Sequence, residues 1–193
     1  MQLFQVRSRW CWLVLCLLTC LAVLEFSARG PIRALGPSRN FNDFLSPYVQ
    51  TRAWFSGRDP YAASTLSDMW PVVPPPPFLR PESADGTLAA KRGLPSPYMT
   101  AAFPLLLPIA EMPWRIAIRA WVLLSVVAVL VAAWALIQPA GVRRRRPLAL
   151  AIFASVLLLA PVHTAIAAAN IVTVVLALGL VATFLLGSLC TGS

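Results

Sequence analysis

Asp43, Tyr48, Arg52, Arg58, Asp59 and Tyr61 fall together in NDFLSPYVQTRAWFSGRDPY, residues 42–61. A carboxylate within reach of a hydroxyl can act as a general base, and the planar guanidinium fork matches phosphate oxygens. The same residues also have a purely structural reading. Asn42 or Asp43 is a good helix N-cap, Pro47 falls in the first turn where a missing donor costs little, and Gly57 suits a helix end. Asp59-Pro60 then reads as the cap and first residue of a second short helix. From spacing alone both readings of the aspartates stay open.

The elements around this stretch are mostly apolar. The chain has 193 residues, 59% hydrophobic and only 12% charged, about half the charged share of a soluble domain. That deficit places it in the membrane class. Sixteen Lys+Arg against seven Asp+Glu give a net charge of +9. The arginines flank apolar runs, so membrane topology explains them better than a nucleic-acid partner, and no nucleic acid is expected. Cys11, Cys16, Cys20 and Cys190 lie in or beside apolar segments. They read as packing residues and not as a disulfide framework or a metal site.

The expected fold is all-α, a multi-pass transmembrane helical bundle with a helical, Pro-rich external loop. Trp10–Phe26 is a first span, short but uncleaved, so residues 1–26 form an N-terminal transmembrane helix. Residues 27–114 form the external loop. Phe44, Tyr48, Thr51 and Phe55 give its first helix one apolar-leaning face against the outer membrane surface. PVVPPPPFLRPESADG at 71–86 is a stiff polyproline spacer. SPYMTAAFPLLLPIAEMPW at 96–114, broken by Pro97, Pro104, Pro108 and Pro113, suits an interfacial or re-entrant piece. Residues 115–193 hold the remaining helices: Ile116–Ile137 with Trp anchors, then RRRR at 143–146, then a hairpin of Leu148–Val162 and Ile171–Cys190 with His163 near its turn. Arg7, Arg9 and the tetra-arginine mark one cytoplasmic side, which puts the 27–114 loop outside.

The pattern Asp43-Phe44, Tyr48, Gly57-Arg58-Asp59-Pro60-Tyr61 resembles the first external loop of the family-87 glycosyltransferases. These are bacterial membrane enzymes of the GT-C superfamily that use polyprenyl-phosphate sugars, usually mannose. SPYMTAAFPLLLPIAEMPWRIAIRAW is similar to the family's entry to its second membrane segment. VHTAIAAANIVTVVLAL is similar to its later hairpin, with Ala169-Asn170 where a Gly-Gln-x-Asn element is common.

The resemblance implies transfer of a hexose from a polyprenyl-phosphate donor to a glycan or glycolipid acceptor, at the outer face of a bacterial plasma membrane. It implies Asp43 as the general base. Arg52, Arg58, Arg115, Arg119 and His163 are then candidates for holding the donor phosphate, and Glu111 is a weaker acid–base candidate. Gly57, Asp59, Pro60 and Tyr61 form a structural turn. No cofactor and no metal ligand set is expected. Family members are longer and carry more spans, so the chain is expected to correspond to the N-terminal portion of such an enzyme. The alternatives are a non-catalytic membrane subunit of the same fold, or a small transporter. A transporter should carry ionisable groups in the middle of its spans, and these spans are almost free of them. Neither a phosphate-binding glycine loop nor a catalytic-triad signature occurs in the sequence.

Overall fold

The computed structural model describes residues 2–36, 43–71, 102–138, 142 and 145–191. Eight α-helices run through them: α1 Gln2–Ser27, α2 Leu45–Phe55, α3 Ala63–Met69, α4 Phe103–Ala110, α5 Trp114–Ile137, α6 Arg146–Leu158, α7 Ala160–Ala167 and α8 Val172–Thr191. No strand occurs among the described residues. The expected all-α membrane architecture is therefore what the chain adopts. The polyproline stretch, Asn42 and Pro97 lie outside the described residues.

The chain divides into two compact units, one of Met1–Gly36 with Val122–Ser193, the other of Pro37–Trp121. The division falls within α5.

In the first unit, the apolar stretch of α1 continues through a π-helical turn, Ala28–Ile32, giving a candidate span from Trp10 to Ile32 of 23 residues. This is longer than the run ending at Phe26 that hydropathy suggests. Charged Glu25 and Arg29 interrupt the apolar run, but one helical turn apart they form an ion pair, a spacing that favours the helix by a few tenths of a kcal/mol, about 0.2–0.5. At Gly30 this turn runs close to α7, where an added Cβ would lie 3.5 Å from Ile166 and 3.6 Å from the Cβ of His163.

α5 is the second candidate span, 24 residues long. Arg146–Leu158 and Ala160–Ala167 form a third span only if taken together, because they are bent by 47° at Leu159. Pro161 accounts for the bend: it has no N–H to donate to the Leu157 carbonyl, and its ring crowds that oxygen. His163 therefore lies inside α7 and is buried, not at the hairpin turn. The turn itself is at Ala169, which holds a left-handed φ of 54°.

Large apolar side chains such as Trp10, Leu13, Leu17, Leu123, Leu176 and Leu178 stand outward from α1, α5 and α8. Helices with that much apolar surface suit lipid as their solvent.

In the second unit, α2 is far more enclosed than a helix resting on a membrane surface. Leu45, Tyr48, Val49, Gln50, Thr51 and Ala53 are all buried. Phe55, expected on the apolar face, is exposed because it sits in the last turn. α4 is short, with Pro104 in its first turn and Pro108 inside it. The Pro-rich stretch thus forms a helix of eight residues, then Glu111-Met112-Pro113, then α5.

Candidate active site

The site is built on the two ends of α2. At its start, Phe44 and not Asp43 occupies the cap position expected of Asn42 or Asp43, with helical dihedrals (φ −75°, ψ −23°) and no side-chain cap hydrogen bond. Its ring lies flat on Trp121, with centroids 4.4 Å apart and planes 4° apart, and also stacks on Trp114 at 6.3 Å. Phe44 and Trp121 are almost fully buried. Such offset-stacked pairs hold more than their buried area alone would supply. Asp43 precedes this anchor directly and is exposed. The first two turns of α5, against which Phe44 packs, carry Arg115 and Arg119, both exposed.

Arg115 and Arg119 are four residues apart and share a face of α5. Neither guanidinium has an ion-pair partner among the described residues. Like charges at that spacing repel by a few tenths of a kcal/mol, about 0.2–0.5. An anion held between them would remove that cost.

Tyr48 is a junction that the sequence does not reveal. Its hydroxyl donates to the Met112 carbonyl at 2.8 Å, and accepts from Nη1 of Arg52 at 2.8 Å. Arg52 also lies 5.6 Å from the Tyr48 ring centroid. Tyr48 further packs edge-on against Trp114 at 5.1 Å. One donor of Arg52 is thereby occupied; the residue is exposed, and its guanidinium carries further N–H donors.

At the far end of α2, Gly57 takes φ +73°. Its N–H donates to Trp54 O at 3.0 Å, and the Arg58 N–H donates to Ala53 O at 2.9 Å. This pair of bonds is a Schellman closure, in which glycine at C′ is the residue without a steric penalty. The Arg58 guanidinium then meets Asp68 on α3 at 2.7 Å. Asp68 had no place in the reading of the sequence. Asp59 does not open a helix: α3 begins at Ala63, and Asp59 Oδ1 instead accepts the Tyr61 N–H at 2.9 Å, closing an Asx turn. Tyr61 leans toward Phe103 at 6.5 Å. Glu111 is exposed at the C-terminal end of α4. His163 belongs to the other unit, where it faces the Gly30 turn.

Among the described residues no three His, Cys, Asp or Glu side chains are grouped to hold a metal ion.

These features define an all-α membrane protein carrying a polar helical unit with an exposed carboxylate and exposed arginines. The model of glycosyltransferase family 87 matches residues 98–192. The resemblance read from the sequence thus holds over the C-terminal part of the chain, and it supports a membrane glycosyltransferase. No curated protein and no solved structure matches the chain. The matched region covers α4 to α8 and includes Glu111, Arg115, Arg119 and His163. Asp43, Arg52, Arg58 and Asp59 precede it. Within the second unit, the Phe44 contacts with Trp114 and Trp121 join the two regions.

Proposed function

We propose that this chain transfers a hexose, mannose in the first instance, from a polyprenyl-phosphate donor to a glycan or glycolipid acceptor. The reaction takes place at the outer face of a bacterial plasma membrane, in an enzyme of the GT-C type. The family match over α4–α8 supports the transferase class. The observation that carries the site is Asp43, exposed beside a stacked aromatic anchor on the arginine-bearing start of α5.

In this mechanism Asp43 takes the proton from the acceptor hydroxyl as its oxygen bonds to the anomeric carbon. The bond from that carbon to the donor phosphate breaks, and polyprenyl phosphate leaves with the bonding pair. Arg115 and Arg119 stabilise the charge that builds on the leaving phosphate. Arg52 has donors to spare for donor or acceptor, whereas Arg58 is occupied by Asp68. The N-terminus is cytoplasmic, with Arg7, Arg9 and RRRR at 143–146 on that side.

The test is transfer from polyprenyl-phosphate mannose in membranes containing the chain, alone and with Asp43→Asn. Asparagine has the shape of aspartate and keeps an acceptor oxygen but cannot accept the acceptor proton. Loss of transfer by about a hundredfold or more would support the base role. Transfer that survives the substitution would leave Asp43 as a structural residue. Absence of transfer from this and related lipid-linked donors would favour a non-catalytic subunit of the same fold.

A further inference from the structure

A second charged feature lies in the first unit and has no part in the proposed transfer. Trp12 on α1 and Arg145, Arg146, Pro147 and Leu148 at the start of α6 line an open groove of about 510 Å³. Both arginines are exposed, and Trp12 is half-buried. Neither guanidinium has a carboxylate partner among the described residues. Two adjacent arginines repel each other, and the positive end of the α6 dipole adds to the same local charge. The groove therefore carries concentrated positive charge at the start of α6, beside the first residues of the Trp10–Ile32 span.

The surroundings set the chemistry of an occupant. An indole at the end of a candidate span sits at headgroup depth, with its ring apolar and its N–H wet. Leu148 and Pro147 continue the groove onto apolar surface. A ligand that fits must present an anion to the guanidiniums and hydrocarbon to the helix flanks. We infer that Arg145, Arg146 and Trp12 form a headgroup site for an anionic phospholipid, with the lipid phosphate held by the two arginines. Arginine suits this role better than lysine because its fork can bond two phosphate oxygens at once. The site is independent of the transfer reaction and stands whether or not the chain is an enzyme.

The experiment titrates the purified full chain in neutral detergent with phosphatidylglycerol or phosphatidylcholine of identical acyl chains. Bound lipid is counted by native mass spectrometry. At about 0.1 M salt, phosphatidylglycerol should be retained over phosphatidylcholine, and near 0.5 M the preference should disappear through screening. Arg145→Gln and Arg146→Gln should each reduce the preference about fivefold, the factor equivalent to ~1 kcal/mol per arginine near a lipid surface. Arg33→Gln, which removes an exposed charge elsewhere in the same unit, should leave it unchanged. Equal retention of the two lipids would overturn the assignment. So would a preference unaffected by both substitutions, or one lost equally in Arg33→Gln, which would mean net charge alone. If inorganic phosphate strips phosphatidylglycerol where matched chloride does not, the site recognises free phosphate and the lipid assignment fails. The salt arm uses the unaltered chain, so the proposal remains testable even if a variant does not fold.

Discussion

Phe44 lies flat on Trp121, with ring planes 4° apart and centroids 4.4 Å apart, and the two side chains are among the most buried in their unit. This contact fixes the start of α2, and with it Asp43, on the first turns of α5. Phe44→Ala is expected to destabilise the Pro37–Trp121 unit by about 3–5 kcal/mol, as aromatic truncations in a core do. Trp121→Ala should do the same. The double variant should fall short of the sum by about 0.5–1.5 kcal/mol, the extra term of an aromatic pair. Denaturant titration followed by tryptophan fluorescence measures all three. Full additivity would show that the stack contributes only buried area.

The two aspartates of the opening stretch should respond differently. Asp43→Asn is expected to lower transfer about a hundredfold or more with little change in stability, since asparagine has the same shape and keeps an acceptor oxygen. Asp59→Ala removes the acceptor for the Tyr61 N–H and should cost about 1 kcal/mol, with turnover per folded molecule unchanged. Turnover and thermal stability measured on the same preparations separate the two. Equal losses of activity would mean that Asp59 also reaches the chemistry.

Tyr48→Phe keeps the ring against Trp114 but removes both hydrogen bonds of the hydroxyl. The expected cost is about 1–3 kcal/mol. It should also loosen the α4–α5 link, because Met112 lies between those helices. Hydrogen exchange over 103–114 is the readout, and faster exchange is the expected result.

Gly57 has open space where a Cβ would go, so only its backbone resists substitution. Gly57→Ala should destabilise by about 1–2 kcal/mol through the left-handed φ. Arg58→Gln, which breaks an ion pair exposed on both sides, should cost under about 1 kcal/mol, and less still at high salt. Thermal melts at two salt concentrations distinguish these causes, because only the second depends on ionic strength. A larger loss for Arg58→Gln that persists in salt would point to a role beyond the Asp68 contact.

Much of the architecture was legible because partition into a bilayer is nearly a sum over local residues. The 59% apolar content and the tryptophan-flanked run ending at Ile137 suffice for an all-α membrane protein and for α5. The end of α2 was legible too, because only glycine takes a positive φ without strain and Gly57 is the one glycine near that point. Continuity misled where composition is blind to a single backbone group. Leu148–Val162 reads as one apolar run, yet Pro161 breaks it at Leu159 and carries His163 into the interior of α7. In the other direction, Glu25 and Arg29 look like the end of a span, yet they pair with each other and the candidate span runs on to Ile32.

The sequence by itself determined the helical class, which segments are apolar enough to meet lipid, and that polar chemistry concentrates at 42–61. Only the tertiary structure decided which of those polar groups are engaged with each other. Tyr48 finds Met112 across 64 residues of chain, Arg58 is held by Asp68, and Arg115 and Arg119 are left exposed on α5. The reason is physical: helix formation and membrane partition are set within a few turns, whereas the partner of a guanidinium or a phenol depends on which distant segment packing brings within about 3 Å.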